Sequence, residues 1–305
     1  MHFSKPVKAV LAVVLLLLLF VLVKGGWYIY QYELLGRWRF NVMHVMQDKP
    51  AGQLDRYEAV VQAKRIDGNG LSSLTFNTDT GTLFTIGDDT PEILELTTEG
   101  EVLRRIPTVG FDETEAIEYI GNGRFLVLEE AYNRISIVEI GPDTKVLNTY
   151  ISRISLELEL NTFNKNFEGL AYSKKLGRIY VAKERDPIRI YEIDGFTTTD
   201  EPTDIIVRGD NAREDRLFIK DLSGLEIDPV TGHLLVLSHE SRLITELDEK
   251  GQPISTLSLL SLGSNLDRLV QQAEGIALGP DGTLYVMSEP NLLYVFKQKK
   301  GHMEP

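Results

Sequence analysis

Phe167 to Glu184 reads FEGLAYSKKLGRIYVAKE, an apolar hairpin with a carboxylate at each outer end, Glu168 and Glu184. Carboxylates that open one strand and close its antiparallel neighbour lie at the same end of a hairpin. There they can share a hard cation or exchange a proton. Four other stretches carry the same unit: SSLTFNTDTGTLFTIGD (72–88), EAIEYIGNGRFLVLEE (115–130), SGLEIDPVTGHLLVLSH (223–239) and EGIALGPDGTLYVMSE (274–289). In register, the strand-start position holds Ser72, Glu115, Glu168, Ser223 and Glu274. The strand-end position holds Asp88, Glu130, Glu184, His239 and Glu289.

Seven carboxylates gathered at one place cannot all ionise without compensation, so either some retain protons or cations neutralise them. Oxygen donors without thiolates or several imidazoles select a hard ion, Ca²⁺ ahead of Mg²⁺ or Mn²⁺. The expected metal ligands are therefore Glu115, Glu168, Glu274, Asp88, Glu130, Glu184, Glu289 and His239. A competing role is mechanical. Arg134, Arg185 and Arg242 stand just past strand-end positions and could pair with these acids to brace adjacent sheets. Ser72 and Ser223 read as small packing residues, and His239 as a hydrogen-bonding side chain as readily as a ligand or base. Acidic neighbours at Asp89, Glu129 and Glu240 leave the strand-end register open by one residue.

The elements that must position these residues follow from the repeat. Unit starts are separated by 43, 53, 55 and 51 residues. Each unit has a hairpin turn (DTG, NG, LG, VTG or PDG) between apolar runs. A third strand-like run follows, as in EILEL, RISIVEI, IRIYEI, LITEL and LLYVF. A fourth precedes the next unit, as in EVLRRIPTV, KVLNTYI, TDIIVRG and PISTLSL. Four antiparallel strands per period of about fifty residues is the signature of a β-propeller blade. The last unit lacks its fourth strand, and YEAVVQAKRI (57–66), upstream of the first, can supply it. The expected fold is all-β, a five-bladed β-propeller closed by an N-terminal strand and preceded by one N-terminal transmembrane helix. Expected boundaries are 1–35 for the signal-anchor, 36–56 for a linker, 57–298 for the propeller and 299–305 for a tail. In such a ring both carboxylate positions converge on one mouth of the central channel. The longer loops 153–166, 208–221 and 261–273 reach the same face, where ligands are selected.

Charge and composition narrow the partners. The formal net charge is −13, yet residues 1–40 carry +4, which leaves −17 for the body. So acidic a body disfavours nucleic acid and anionic lipid and attracts cations. The absence of cysteine removes disulfides, thiol nucleophiles and thiolate metal sites. Near the N-terminus, fifteen unbroken apolar residues run from Ala9 to Val23, followed by Lys24 and GGWYIY. Alone they match the apolar region of a cleaved signal. With Gly25–Tyr30 added and Lys24 snorkelling, they match an anchor whose Trp27, Tyr28 and Tyr30 form an interfacial belt. No small-x-small cleavage site is evident, so the anchor is the reading taken here. It places the protein in the inner membrane, single-pass, with the propeller on the periplasmic side.

No P-loop, dinucleotide fingerprint, G-x-S-x-G elbow or H-E-x-x-H motif occurs. At TEAIEYI (114–120), NFEGLAYS (166–173), DLSGLEID (221–228) and AEGIALGPDG (273–282), the chain closely resembles the SdiA-regulated family, in its membrane-anchored type. The resemblance covers the body from residue 57 onward. It implies a five-bladed propeller, distantly related to NHL-repeat propellers, with a calcium site. The family name describes control by a quorum-sensing regulator, not an activity. Related propellers include metal-dependent lactonases and phytase relatives, but no motif position here carries a catalytic residue over. Ser72 and Ser223 depart from the glutamate pattern. The expected function is a calcium-binding module of the cell envelope that takes a small molecule or envelope protein. The alternative is a calcium-dependent hydrolase with Glu168, Glu184 or His239 as base.

Overall fold

The computed structural model describes residues 5–47, 52–87, 90–156, 167–197, 204–261 and 264–299. Two helices, α1 (Lys5–Gln31) and α2 (Leu34–Gln47), belong to one structural unit, Met1–Asp48, and Lys49–Pro305 form the other. Within α1, Val10–Gln31 is long and apolar enough to cross a membrane. α2 occupies much of the segment expected as linker.

The second unit is a ring of five four-stranded antiparallel sheets. A strand closing the ring, β1 (Tyr57–Arg65), comes first in the chain. Blade one holds β2 (Thr75–Asn77), β3 (Thr82–Ile86), β4 (Glu92–Leu96) and β5 (Val102–Pro107). Blade two holds β6 (Thr114–Gly121), β7 (Arg124–Glu129), β8 (Arg134–Glu139) and β9 (Ser152–Ser155). Blade three holds β10 (Phe167–Ser173), β11 (Arg178–Lys183), β12 (Arg189–Asp194) and β13 (Ile206–Gly209). Blade four holds β14 (Gly224–Ile227), β15 (Leu234–Ser238), β16 (Leu243–Leu247) and β17 (Pro253–Ser258). Blade five holds β18 (Ala273–Leu278), β19 (Leu284–Ser288) and β20 (Leu292–Gln298), and β1 completes it.

Near-continuous apolar runs such as RFLVLE and LLVLS explain both the strands and their assembly. Each sheet turns apolar side chains to both faces, so neither face can be left in water. The apolar residues accordingly fall into five buried clusters, one at each interface between successive blades. Phe84 and Phe125, for example, meet across the first interface with ring centroids 4.7 Å apart. The turn between the first two strands of each blade needs a residue at positive φ. Glycine supplies it every time, at Gly81, Gly123, Gly177, Gly232 and Gly282.

Ring closure follows the sequence expectation. β1 pairs antiparallel with β20, from Tyr57 opposite Gln298 to Arg65 opposite Leu292. The Tyr57 hydroxyl donates to Gly282 C=O at 2.7 Å, tying the closing strand to the turn of its adopted blade. Just upstream, Gln53 N–H donates to Glu246 Oε2 at 2.7 Å, and Leu54 is buried in the interface between blades four and five. One strand is misplaced by the sequence reading. KVLNTYI (145–151) was expected as the outer strand of blade two, but that strand is Ser152–Ser155. The apolar residues upstream serve the blade interface instead. Leu147 is buried there beside Phe111 and Ile140, and it bridges in parallel to Thr108.

Candidate functional site

The innermost strands approach so closely that only small residues fit beside the axis. A Cβ on Gly224 would stand 2.6 Å from Glu274 C=O, and one on Gly275 would stand 2.7 Å from the Ser73 carbonyl carbon. On Gly169 it would meet Gly224 Cα at 3.1 Å. This is the physical reason for the small second residue of every repeat: Ser73, Ala116, Gly169, Gly224 and Gly275. Directly before it stand the strand-start residues.

Glu115, Glu168 and Glu274 share one backbone device. Thr114 pairs with Glu129 and Ala116 with Leu128, so Glu115 is an extra residue without a cross-strand partner. The same shift skips Glu168 between Phe167–Lys183 and Gly169–Ala182. It skips Glu274 between Ala273–Ser288 and Gly275–Met287. Each glutamate thus rides a β-bulge, the distortion that re-aims one side chain out of the pleat. At Ser72 the register shifts in the same way, between the Leu71–Gly87 bridge and the Thr75–Phe84 pair, and the hydroxyls of Ser72 and Ser223 are engaged by backbone carbonyls. Ser223 Oγ donates to Ala273 C=O at 2.8 Å, and Ser72 Oγ lies 3.4 Å from Ile86 C=O.

The electrostatics tie the mouth residues together. Burial pushes the Glu168 carboxyl up to about 8, helped by the charges of Glu115, Glu130 and Asp221 and opposed by Arg185. Burial again, then Glu289, Glu168 and Glu115, push Glu274 up to about 10. Glu115, Glu130, Glu168, Glu274 and Glu289 therefore occupy one electrostatic neighbourhood, where crowding favours retained protons.

The strand-end residues divide into different roles. Glu130, Glu184, His239 and Glu289 are each the first residue past the second strand of a blade. Glu184 is buried and ion-paired with Arg185, which also reaches Glu240 Oε1 at 2.6 Å. His239 Nδ1 stands 2.9 Å from Asp221 Oδ2 and 3.8 Å from Glu274 Oε1, an ion-pair approach rather than an aligned hydrogen bond. Asp221 is fully buried, which opposes its ionisation. His239, the Ser238 hydroxyl and Glu240 N–H together outweigh that burial and hold its carboxyl below the ordinary range. Asp88 lies outside the described residues.

In blade two the arginine pairing falls on the neighbour of the expected acid and stays within the one sheet rather than bracing adjacent sheets. Glu129, with no exposed surface, accepts from Arg134 Nε at 2.9 Å, Arg153 Nη2 at 3.3 Å and Asp112 N–H at 3.2 Å. Its neighbour Glu130 opens a short 3-10 turn, Glu130–Tyr132. Arg242 Nη1 donates to His239 C=O.

Two further acids line the channel beyond the small-residue ring and were missed by the sequence reading. Glu118 accepts from Thr75 Oγ1 at 2.8 Å and Tyr172 N–H at 3.2 Å, which links blades one, two and three. Glu226 accepts from Leu278 N–H at 3.1 Å, which links blades four and five. Both are buried, at the edge of a cavity of about 120 Å³ walled by Phe76, Tyr172 and Leu278. Burial pushes Glu118 up to about 8 and, joined by the charge of Glu118, pushes Glu226 well above the carboxylate range. A signal was available. Three residues past the strand start the repeats read Thr75, Glu118, Ala171, Glu226 and Ala277, so two acids interrupt an otherwise small-residue position.

Among the described residues, no three His, Asp or Glu side chains converge tightly enough to hold an ion as they stand. The donor chemistry nevertheless fits a hard cation. The set is nearly all carboxylate oxygen, on rigid strand ends, with a mutual repulsion that a divalent ion would relieve.

The SdiA-regulated family profile matches residues 49–297. Among solved structures, a luciferin-regenerating enzyme is similar at TM-score 0.50 and 14% identity, over 80% of this chain and 95% of that one. The calcium-binding protein regucalcin from Agrobacterium tumefaciens str. C58 aligns at TM-score 0.49 and 14% identity, over 81% and 97%. Virginiamycin B lyase from Staphylococcus aureus aligns at TM-score 0.42 and 14% identity, over 79% and 74%. At these identities the first likeness supports the fold alone.

Proposed function

The chain belongs to the SdiA-regulated family, and we propose that it is a membrane-anchored, extracytoplasmic calcium-binding propeller whose mouth face presents a site for a ligand or envelope protein. The observation that carries this reading is the trio of bulged glutamates. A bulge costs ladder hydrogen bonds, and three of them at equivalent positions bring together acids that repel one another. A rigid array that concentrates negative charge is suited to a cation. Glu115, Glu168 and Glu274 would supply the central oxygens, with Glu130 and Glu289 beside them. Calcium suits flexible oxygen cages of six to eight ligands, whereas magnesium demands tighter octahedral geometry. Glu184 enters this reading as a brace held by Arg185, and His239 as an edge residue held by Asp221.

The anchor and topology belong to the same reading. α1 spans the inner membrane, and the basic Lys5 and Lys8 ahead of the apolar run stay on the cytoplasmic side. The propeller, 57–298, then stands in the periplasm.

One observation favours a second reading, a calcium-dependent hydrolase. The buried Asp221 carboxylate stands 2.9 Å from His239 Nδ1 at the mouth, near enough to orient the imidazole as a general base if the two align. Calcium bound beside it would supply Lewis acidity toward a substrate oxygen. Thermal melts with calcium and with EDTA, run with a lactone, ester and phosphoester panel, separate the two. A calcium-dependent melting temperature without turnover supports the binding module. Calcium-dependent turnover that His239→Ala abolishes supports the hydrolase, and indifference to calcium refutes both.

A further inference from the structure

The chain does not leave its apolar span as a featureless tether. α1 ends at Gln31, Glu33 adopts a left-handed conformation (φ 50°), and α2 begins at Leu34. Three residues reach at most about 10 Å, so α2 starts within that distance of the point where α1 ends. Its fourteen residues extend about 21 Å at ~1.5 Å per residue.

Within α2, Leu35, Trp38 and Val42 recur at i, i+3 and i+7, which places them on one helical face. They are 68%, 66% and 37% exposed, so among the described residues nothing covers Leu35 and Trp38 and Val42 is covered only in part. A different face carries the ring stack of Phe40 on His44, with centroids 5.3 Å apart. Arg39 is exposed next to the stripe, and Arg37 is half-buried near Tyr28 and Glu33. A stripe of Leu, Trp and Val so exposed is costly in water. This one begins within one helical turn of a segment built to sit in lipid, so continuity of the chain names its partner. Tryptophan in particular prefers the headgroup level of a bilayer, and arginine at the edge of an apolar stripe reaches lipid phosphates.

We propose that α2 lies in the plane of the membrane interface, with Leu35, Trp38 and Val42 seated at the boundary between headgroups and acyl chains and Arg39 at the phosphates. The inference rests on α1 being a retained span. It turns the segment from a spacer into a second, shallow attachment that holds the chain at the lipid surface.

The protein contains two tryptophans, Trp27 in α1 and Trp38 in α2, so each helix can be read separately. Full-length Trp27→Phe and Trp38→Phe variants are reconstituted in phosphatidylcholine–phosphatidylglycerol vesicles carrying nitroxide lipids labelled at shallow or deep acyl positions. For Trp38 we expect blue-shifted emission. We also expect at least two-fold stronger quenching by the shallow label than by the deep one, and protection from aqueous iodide. Quenching of Trp38 by iodide overturns the proposal, because α2 then faces water. Blue-shifted emission that no lipid label quenches also overturns it, because α2 then packs on protein. Trp27 keeps the premise separate. If lipid labels quench Trp27 but not Trp38, the anchor stands and the interfacial helix falls. If they quench neither, both fall.

Discussion

Glu168 and Glu274 are the mouth acids whose ionisation burial and neighbouring carboxylates oppose. Both titrate far above an ordinary carboxyl, near 8 and near 10, because burial and neighbouring acids disfavour the charged form. From about pH 4.5 up to those values, the folded protein binds more protons than the unfolded chain. Without calcium, stability should therefore fall as pH rises through that window. A bound divalent ion favours the ionised forms, so the gain in melting temperature on adding calcium should grow between pH 5 and pH 9. Glu274→Gln should stabilise the calcium-free protein at pH 8 by about 1 kcal/mol, roughly 2–4 °C, while blunting its response to calcium. Scanning calorimetry with and without calcium across that range checks both. Glu129 should behave oppositely. Its substitution by Ala leaves Arg134 and Arg153 without their buried partner and should cost about 3–5 kcal/mol whether or not calcium is present. At this scale the repeat made Glu115, Glu168 and Glu274 readable, since one position recurs with one residue type. It could not separate Glu129 from Glu130, because adjacent acids look alike until the strand's end is known. Asp221 escaped because it precedes its strand and acts through a contact with His239 that no spacing encodes.

The bulge, the turn and the close-packed inner strand are the devices that convert repetition into a site. The small second residue of each unit was visible in the sequence, but its reason was not. Gly275 faces the Ser73 carbonyl carbon and Leu74 nitrogen of the next blade, at 2.7 and 2.8 Å from a would-be Cβ. Gly275→Ala should therefore cost about 1–3 kcal/mol through overpacking of backbone against backbone. Gly209→Ala, with nothing within 4 Å of its would-be Cβ, is the matched control and should be close to neutral. Chemical denaturation of the two variants makes the comparison. Turn positions were readable because positive φ demands glycine, and strand order was readable because each period of about fifty residues holds four runs. The outer strand of blade two was not. Val146, Leu147, Tyr150 and Ile151 make an apolar pattern that fits a strand, yet Leu147 is drawn into the interface and Ser152–Ser155 takes the edge. Propensity is weakest at an exposed edge, where packing contributes least to the choice.

Across the whole molecule, the closing strand explains why five incomplete-looking repeats make a finished ring. β1 is contributed from before the first blade and consumed by the last, so all five blades carry four strands and β20 is paired on both sides. The acid excess of the body is suited to cations, and the apolar N-terminal helix is long enough to cross a membrane. Sidedness is testable in spheroplasts. External protease should degrade a C-terminally tagged propeller while an N-terminal tag remains protected, and the reverse pattern would place the disc in the cytoplasm. The central claim is that the mouth binds calcium, and calorimetric titration of the full-length protein at pH 8 measures it most directly. The account predicts saturable calcium binding with proton release that varies with the ionisation heat of the buffer, both lost in the Glu168→Gln, Glu274→Gln double variant. A flat titration at millimolar calcium, from folded protein whose melting temperature EDTA leaves unchanged, would contradict it.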